Sequence, residues 1–227
     1  MREIVFDTET TGLDPFDGHR IVEIGCIELV NRIPSGVTFH RYVNPERDMP
    51  EAAFKVHGLS VDFLKDKPVF HDICDELMAF FGDAILIAHN ASFDYGFICA
   101  ELDRCKRQAL TRDRLIDTIA LARRKHSAGP YSLDALCVRY GIDNSRRTKH
   151  GALLDAELLA EVYLELIGAR QAQLGLAELA VAAGAARAAA PRPVALAPRL
   201  SGAEQAAHRE FIASLGEKAL WRAYQSA

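Results

Sequence analysis

The chain has no Cys-x-x-Cys pair, only one tryptophan and no excess of positive charge. It also has no apolar run near the roughly 20 residues needed to span a bilayer. Each absence excludes something. Its five cysteines, Cys26, Cys74, Cys99, Cys105 and Cys137, lack paired spacing, which argues against a disulfide frame or a zinc knuckle. They read as free thiols of a reduced compartment. With no membrane span, and with a strand pattern from the first residues, the chain is expected to be cytoplasmic. The formal charge of −4 hides an asymmetry: residues 1–167 carry 20 Lys and Arg against 27 Asp and Glu, a net −7, while the remainder carries 7 against 4, a net +3. Phosphate neutralisation drives most nucleic-acid affinity. A unit of that negative charge binds nucleic acid poorly unless bound cations and a tether supply the missing attraction.

What is present suffices for one sizeable domain and an appendage, since 49% of the 227 residues are hydrophobic. Residues 2–7 and 20–30 read as strands, and a third covers Thr38 to Val43, the three expected to be antiparallel neighbours. The stripe Ile73, Leu77, Phe80 and Phe81 predicts a helix over 71–81. Ala84-Ile85-Leu86-Ile87-Ala88 then reads as a fully buried central strand. A helix follows over 92–104, a short strand over 115–117 and a helix over 118–125. Ser132 caps a helix over 133–140 that Gly141 ends. The last domain helix runs over 151–167. Strands first, then alternating strand and helix, predict a mixed α/β sheet covered by helices. There is no internal repeat.

After Gly168 the composition changes. Residues 177–198 hold eleven alanines and three prolines, a stretch unsuited to a core. Residues 201–224 regain apolar and aromatic side chains, including Phe211, Ile212, Leu215, Leu220, Trp221 and Tyr224, and read as a short docking peptide on a linker.

Four acidic residues stand where a core would prefer apolar ones. Asp7 and Glu9 alternate along the first strand and so share a face. Thr10-Thr11-Gly12 breaks that strand and leaves both at its exposed end. Asp94 shares a helical stripe with Phe97, Ile98 and Glu101; Asp155 shares one with Leu159, Val162 and Leu166. Both stripes are expected to face the sheet and to bring the acids towards the first strand. A buried carboxylate is costly unless a positive charge meets it. Oxygen-only ligands suit hard ions such as magnesium or manganese. Two such ions roughly 3.5–4 Å apart are a recurrent device for phosphodiester hydrolysis.

His150 lies five residues before Asp155, about 140° away around a helix. It is therefore expected at the helix entrance above the metals, not as a neighbouring ligand. An imidazole of ordinary pKa, about 6.5, can take a proton from water near neutral pH. Singly, each residue has a plainer reading. Asp7 and Glu9 fit a solvated strand end, Asp94 fits a first-turn acid favoured by the helix dipole, and His150 fits a loop histidine. Asp155, mid-helix on the apolar side, is hardest to explain that way. Asp117, at the end of the fifth strand, is set aside as the cap of the following helix.

Together, Phe6-Asp7-Thr8-Glu9-Thr10-Thr11-Gly12, His89-Asn90-Ala91-Ser92-Phe93-Asp94 and His150-Gly151-Ala152-Leu153-Leu154-Asp155 resemble the three motifs of the DEDDh (DnaQ-like) 3′–5′ exonucleases. Phe54 to Leu59, Tyr131 to Cys137 and Asp143 to Thr148 are similar to the proofreading subunits of bacterial DNA polymerase III within that family. The resemblance covers residues 2–167. It implies a ribonuclease H-like fold and release of 3′-terminal nucleotides as monophosphates from a DNA 3′ end. It also implies two divalent cations, Mg²⁺ or Mn²⁺. Asp7 would bridge them, Glu9 and Asp155 would complete one site, and Asp94 would serve the other. Asp7, Glu9 and Asp155 also fall at the substrate, His150 becomes the general base, and His57 matches a position that contacts the terminal nucleotide, or else is a structural loop histidine.

The tail fits the same resemblance. Gln171, Leu174 and Leu176 look like a sliding-clamp-binding peptide, although the last anchor is leucine where an aromatic is frequent. Leu220 and Trp221 resemble an ending docked on the polymerase (alpha) subunit. The expected division is an exonuclease domain over 1–170, a clamp peptide with an Ala/Pro-rich linker over 171–200, and a polymerase-docking segment over 201–227. A flexible linker of roughly 24 residues spans about 25–30 Å, which gives an effective concentration of order millimolar. Weak intrinsic DNA affinity then suffices. Two other readings stand beside this one: a stand-alone exonuclease for RNA ends or short oligoribonucleotides, and a scaffold that stabilises the polymerase.

Overall fold

The computed structural model describes residues 1–147, 149–169 and 200–216. Residues 1–147 and 149–169 belong to one compact unit and 200–216 to a second. In the first unit, β1 (Arg2–Thr10), β2 (Ile21–Val30) and β3 (Ile33–Tyr42) form an antiparallel meander. The strands β4 (Ile85–Ala88) and β5 (Leu115–Asp117) run parallel to β1, giving the order β3-β2-β1-β4-β5. The mixed five-stranded sheet expected from the sequence is present.

Helices cover both faces. Ile4 and Phe6 of β1 point to one side, where α3 (Phe70–Phe81) and α4 (Ala91–Arg104) bury Phe70, Leu77, Phe81 and Phe97 against them. Val5 points to the other side. There α5 (Thr118–Lys125), α6 (Leu133–Tyr140) and α7 (Ala152–Leu166) supply Ala122, Leu136, Leu159 and Val162. A strand buried on both faces needs apolar residues at successive positions, and Ile4-Val5-Phe6 and Leu86-Ile87-Ala88 provide them.

Three departures from expectation have physical causes. The first strand continues past residue 7 to Thr10, because β2 pairs with it to the end, Glu9 opposite Glu23 and Thr10 opposite Ile21. The strand end is therefore covered, and Glu9 is only 7% exposed rather than solvated. The third strand begins at Ile33, not Thr38. Asn31 and Arg32, both left-handed, form the tight hairpin turn that returns the chain. Pro34 and Gly36 are tolerated beyond it because β3 is an edge strand. Two short helices, α1 (Glu51–His57) and α2 (Val61–Leu64), occupy a stretch in which no apolar period announced them.

In the second unit, Gly202–Ser214 forms α8, opened by a reciprocal capping box between Ser201 and Glu204. The reading of 201–224 as a short docking peptide thus meets a helix over its first half. The expected clamp-binding residues Gln171, Leu174 and Leu176, and the docking residues Leu220 and Trp221, lie outside the described residues. No helix among the described residues is long and apolar enough to cross a membrane.

Candidate active site

The site lies where β1 and β4 end, and the backbone brings its acids there from both faces of the sheet. Asp7 and Glu9 project from β1 towards the face that carries α7. Gly25, paired with Asp7 across β1 and β2, lets α7 descend on that face: a Cβ at Gly25 would lie 2.3 Å from the backbone of Ala152 and Leu153. Asp155 is not mid-helix as expected but in the first turn of α7, because the helix opens only at Ala152; it is thereby set beside Glu9 and is 2% exposed. From the opposite face, α4 begins directly after β4 through the left-handed Asn90. Its first turn carries Asp94, 2% exposed, which reaches around the strand end. The Thr8 amide and hydroxyl both donate to Asp94 Oδ1, at 3.0 and 2.6 Å, and tie α4 to β1.

His150 stands at the entrance of α7, half exposed, its amide donating to Val56 O at 3.3 Å. The expectation that it could not neighbour Asp155 is corrected. Its Nδ1 lies 3.4 Å from Asp155 Oδ2, because helical geometry begins only at Ala152 and the helical angle does not apply to residue 150. Ligand atoms of Glu9, His150 and Asp155 all fall within 4.8 Å of one another. All five expected residues line one cleft of about 410 Å³.

The electrostatics are those of a cation site. Burial, then the charges of Asp94, Glu9 and Asp155, push the Asp7 carboxyl well above the usual range. Glu9 is raised to about 8 by burial, then by Asp155 and Glu23. Asp94 is raised to about 7 by burial, against which the Thr8 hydrogen bonds act. Carboxyls held this far from their ordinary values want positive charge nearby. The donor set of four carboxylates and an imidazole fits hard divalent ions.

His57 lies apart from this group, at the end of α1 in a neighbouring cavity of about 580 Å³ that also touches Glu9 and Phe93. Its Nδ1 accepts from the Leu59 amide at 3.0 Å, which leaves the proton on Nε2. That nitrogen is buried against the Thr10 backbone, and burial lowers the ring's pKa. Asp117 caps α5 as expected, accepting from the amides of Ile119 at 2.9 Å and Asn90 at 3.2 Å.

Sequence reasoning missed several cleft residues, Arg147 and His89 among them. Arg147 donates to both Asp155 oxygens, at 2.6 and 2.7 Å, from the loop before α7. A loop arginine has no periodic signal that would reveal this. His89, inside the second motif, holds Thr118 Oγ1 at 2.9 Å through Nδ1, and its Nε2 is buried. Its place directly after the apolar run of β4 was the available signal.

Residues 4–163 match the family model described as Exonuclease. The chain is 53% identical over 184 residues to the DNA polymerase III subunit epsilon of Rickettsia felis, with 80% of each chain covered. It is 42% identical over 237 residues to the subunit of that name from Escherichia coli, with 98% of each covered. Among solved structures, the nuclease domain of 3′hExo, a DEDDh family member bound to rAMP, superposes with a TM-score of 0.64 at 16% identity, covering 74% of this chain and 92% of that one. This places the sheet and its helices in the ribonuclease H-like fold, and the family implies divalent metal cations. With its motif residues gathered in one cleft and these relatives on both sides of the comparison, the chain belongs to the exonuclease family, in the group of the DNA polymerase III epsilon subunits.

Proposed function

We propose that this chain is a 3′–5′ exodeoxyribonuclease that proofreads DNA replication as a subunit of DNA polymerase III. The carrying observation is the convergence of Asp7, Glu9, Asp94, Asp155 and His150 in one acidic cleft. Two divalent cations, Mg²⁺ or Mn²⁺, held by Asp7, Glu9 and Asp155 and by Asp7 and Asp94, would stabilise the attacking and leaving oxygens of the 3′-terminal phosphodiester. His150 removes the proton of the attacking water, as its half-exposed position above the carboxylates allows. Asp7, Glu9 and Asp155 thereby also border the substrate phosphate. His57 borders the terminal nucleotide from the adjoining cavity. The products are a nucleoside monophosphate and a DNA strand shortened by one nucleotide.

The acidic cleft repels a DNA backbone, so delivery falls to the tail. Gln171, Leu174 and Leu176 engage the sliding clamp, and Leu220 and Trp221 dock on the polymerase alpha subunit, tryptophan being a frequent interface anchor. Similarity to the Escherichia coli subunit over 98% of each chain supports a shared tail. Tethering makes weak affinity sufficient, and weak affinity discriminates: a paired terminus stays in the polymerase, whereas a frayed mismatch reaches the cleft.

The decisive experiment incubates the protein with 3′-mismatched DNA and Mg²⁺, with an RNA oligomer of the same sequence alongside. Mononucleotides should be released from the DNA, and Asp7→Ala or Asp155→Ala should stop the release. Activity that survives chelator, or faster turnover of the RNA, would contradict the reading.

A further inference from the structure

Among the described residues lining the cleft, Arg147 is the sole lysine or arginine, and all three of its side-chain nitrogens donate there. Nε and Nη2 reach the two Asp155 oxygens at 2.6 and 2.7 Å. Nη1 lies 2.8 Å from both oxygens of Asp134. The other Nη2 proton meets His150 Nδ1 at 2.8 Å. The inner half of this fork is dry, with Arg147 8% and Asp155 3% exposed, whereas the outer acceptor Asp134 is 55% exposed.

A guanidinium has no acceptor, so His150 Nδ1 must accept the bond. The neutral ring then carries its proton on Nε2 and has no free lone pair with which to act as a base. Asp155 likewise has a guanidinium N–H on each oxygen. Held this way, the two residues are in place for catalysis but cannot perform it. A dication at Asp155 and a guanidinium on the same two oxygens would sit within a few ångströms of each other, where like charges repel strongly in a site of low dielectric. Asp134, already bonded to Nη1 and open to water, offers the arginine somewhere to go.

We propose that Arg147 is a positioning cation that stands in for the metal: it holds Asp155 and His150 in register in the metal-free site, and it yields Asp155 by withdrawing onto Asp134 when a dication binds. Its departure frees His150 Nδ1 to carry the proton and leaves Nε2 as the acceptor. Metal occupancy and readiness of the base are thereby coupled through one side chain. The inference rests on the metal reading above, and the experiment separates the two.

Calorimetric titration of the full chain with Mn²⁺ compares wild type, Arg147→Gln, Arg147→Lys and Asp155→Asn. Removing a competitor should tighten Mn²⁺ binding in Arg147→Gln by roughly 5- to 150-fold, the range of typical site couplings, with Arg147→Lys in between. In chelator Arg147→Gln should melt below wild type, and saturating Mn²⁺ should close the gap. The ring-nitrogen NMR shifts of His150 in wild type should report Nε2–H without metal and Nδ1–H with Mg²⁺. This readout decides the matter even where Arg147→Gln does not fold. If Asp155→Asn weakens binding while Arg147→Gln leaves it equal or weaker, Arg147 is a mere structural support and the inference falls alone. If Asp155→Asn leaves Mn²⁺ binding untouched, the metal reading falls and takes the inference with it. An unchanged His150 tautomer on Mg²⁺ addition also overturns it.

Discussion

Gly25 sits across the sheet from Asp7, and its missing side chain is filled by the backbone of Ala152, which would lie 2.3 Å from a Cβ there. The atoms in the way are main chain and cannot turn aside. Gly25→Ala should therefore lift the start of α7 and carry Asp155 away from Glu9. We expect a destabilisation of about 1–3 kcal/mol, the usual cost of overpacking, with a loss of exonuclease turnover far larger than the stability change explains. Thermal unfolding and mononucleotide release, measured on the same preparation, check this. Full activity in the variant would mean that close approach at this point does not position the site.

His150 neighbours both Glu9 and Asp155, so its role as base must be separated from a role as ligand. His150→Ala should lower kcat by roughly 10²–10⁴-fold, the usual worth of a general base, while Mn²⁺ affinity stays within about twofold of wild type. A large drop in Mn²⁺ affinity would identify the imidazole as a ligand instead.

The raised carboxyl pKa values make the metal-free protein pH-sensitive in a defined direction. Glu9 titrates near 8 in the folded chain against an ordinary 4.5, so above pH 4.5 the folded state retains a proton that the unfolded chain gives up. Stability from this group is complete below the unfolded pKa and is lost as pH rises through the folded value. The buried histidines His57 and His89, whose pKa values are lowered, act in the opposite sense but only below about pH 6.5. In chelator, urea midpoints should therefore fall between pH 7 and 9 in wild type, and fall less in Glu9→Gln. Saturating Mg²⁺ should flatten the wild-type slope. Equal slopes in both proteins without metal would contradict the assignment.

The two-part division predicts that deleting residues 201–227 abolishes co-purification with the polymerase subunit. Turnover of single-stranded DNA should remain near that of the full chain. Loss of both activities together would show that the tail supports the nuclease fold.

The strands around Asp7, the apolar run of β4 and the helical stripes of Asp94 and Asp155 were readable because burial on both sheet faces, or on one helix face, leaves a period in the chain. Asp117 was read as a cap for the same local reason, and it caps α5. Where the governing contact was distant, the reading failed. The start of β3 at Ile33 is set by pairing with β2, not by its own Pro34, Ser35 and Gly36. His150 escaped the helical wheel because α7 begins two residues later. Ser201 and Glu204 carried a local capping signal that went unread.

The sequence by itself determined which residues can be acidic in a core and on which periodic stripe each lies. Covalent spacing and side-chain chemistry decide those matters. Only the tertiary structure decided that α4 and α7 cover opposite faces of the sheet and still meet at its end. It alone set Arg147 among Asp134, His150 and Asp155. Both depend on how close two backbones come and which loop closes over them, and no periodicity within a single segment encodes a distance to another.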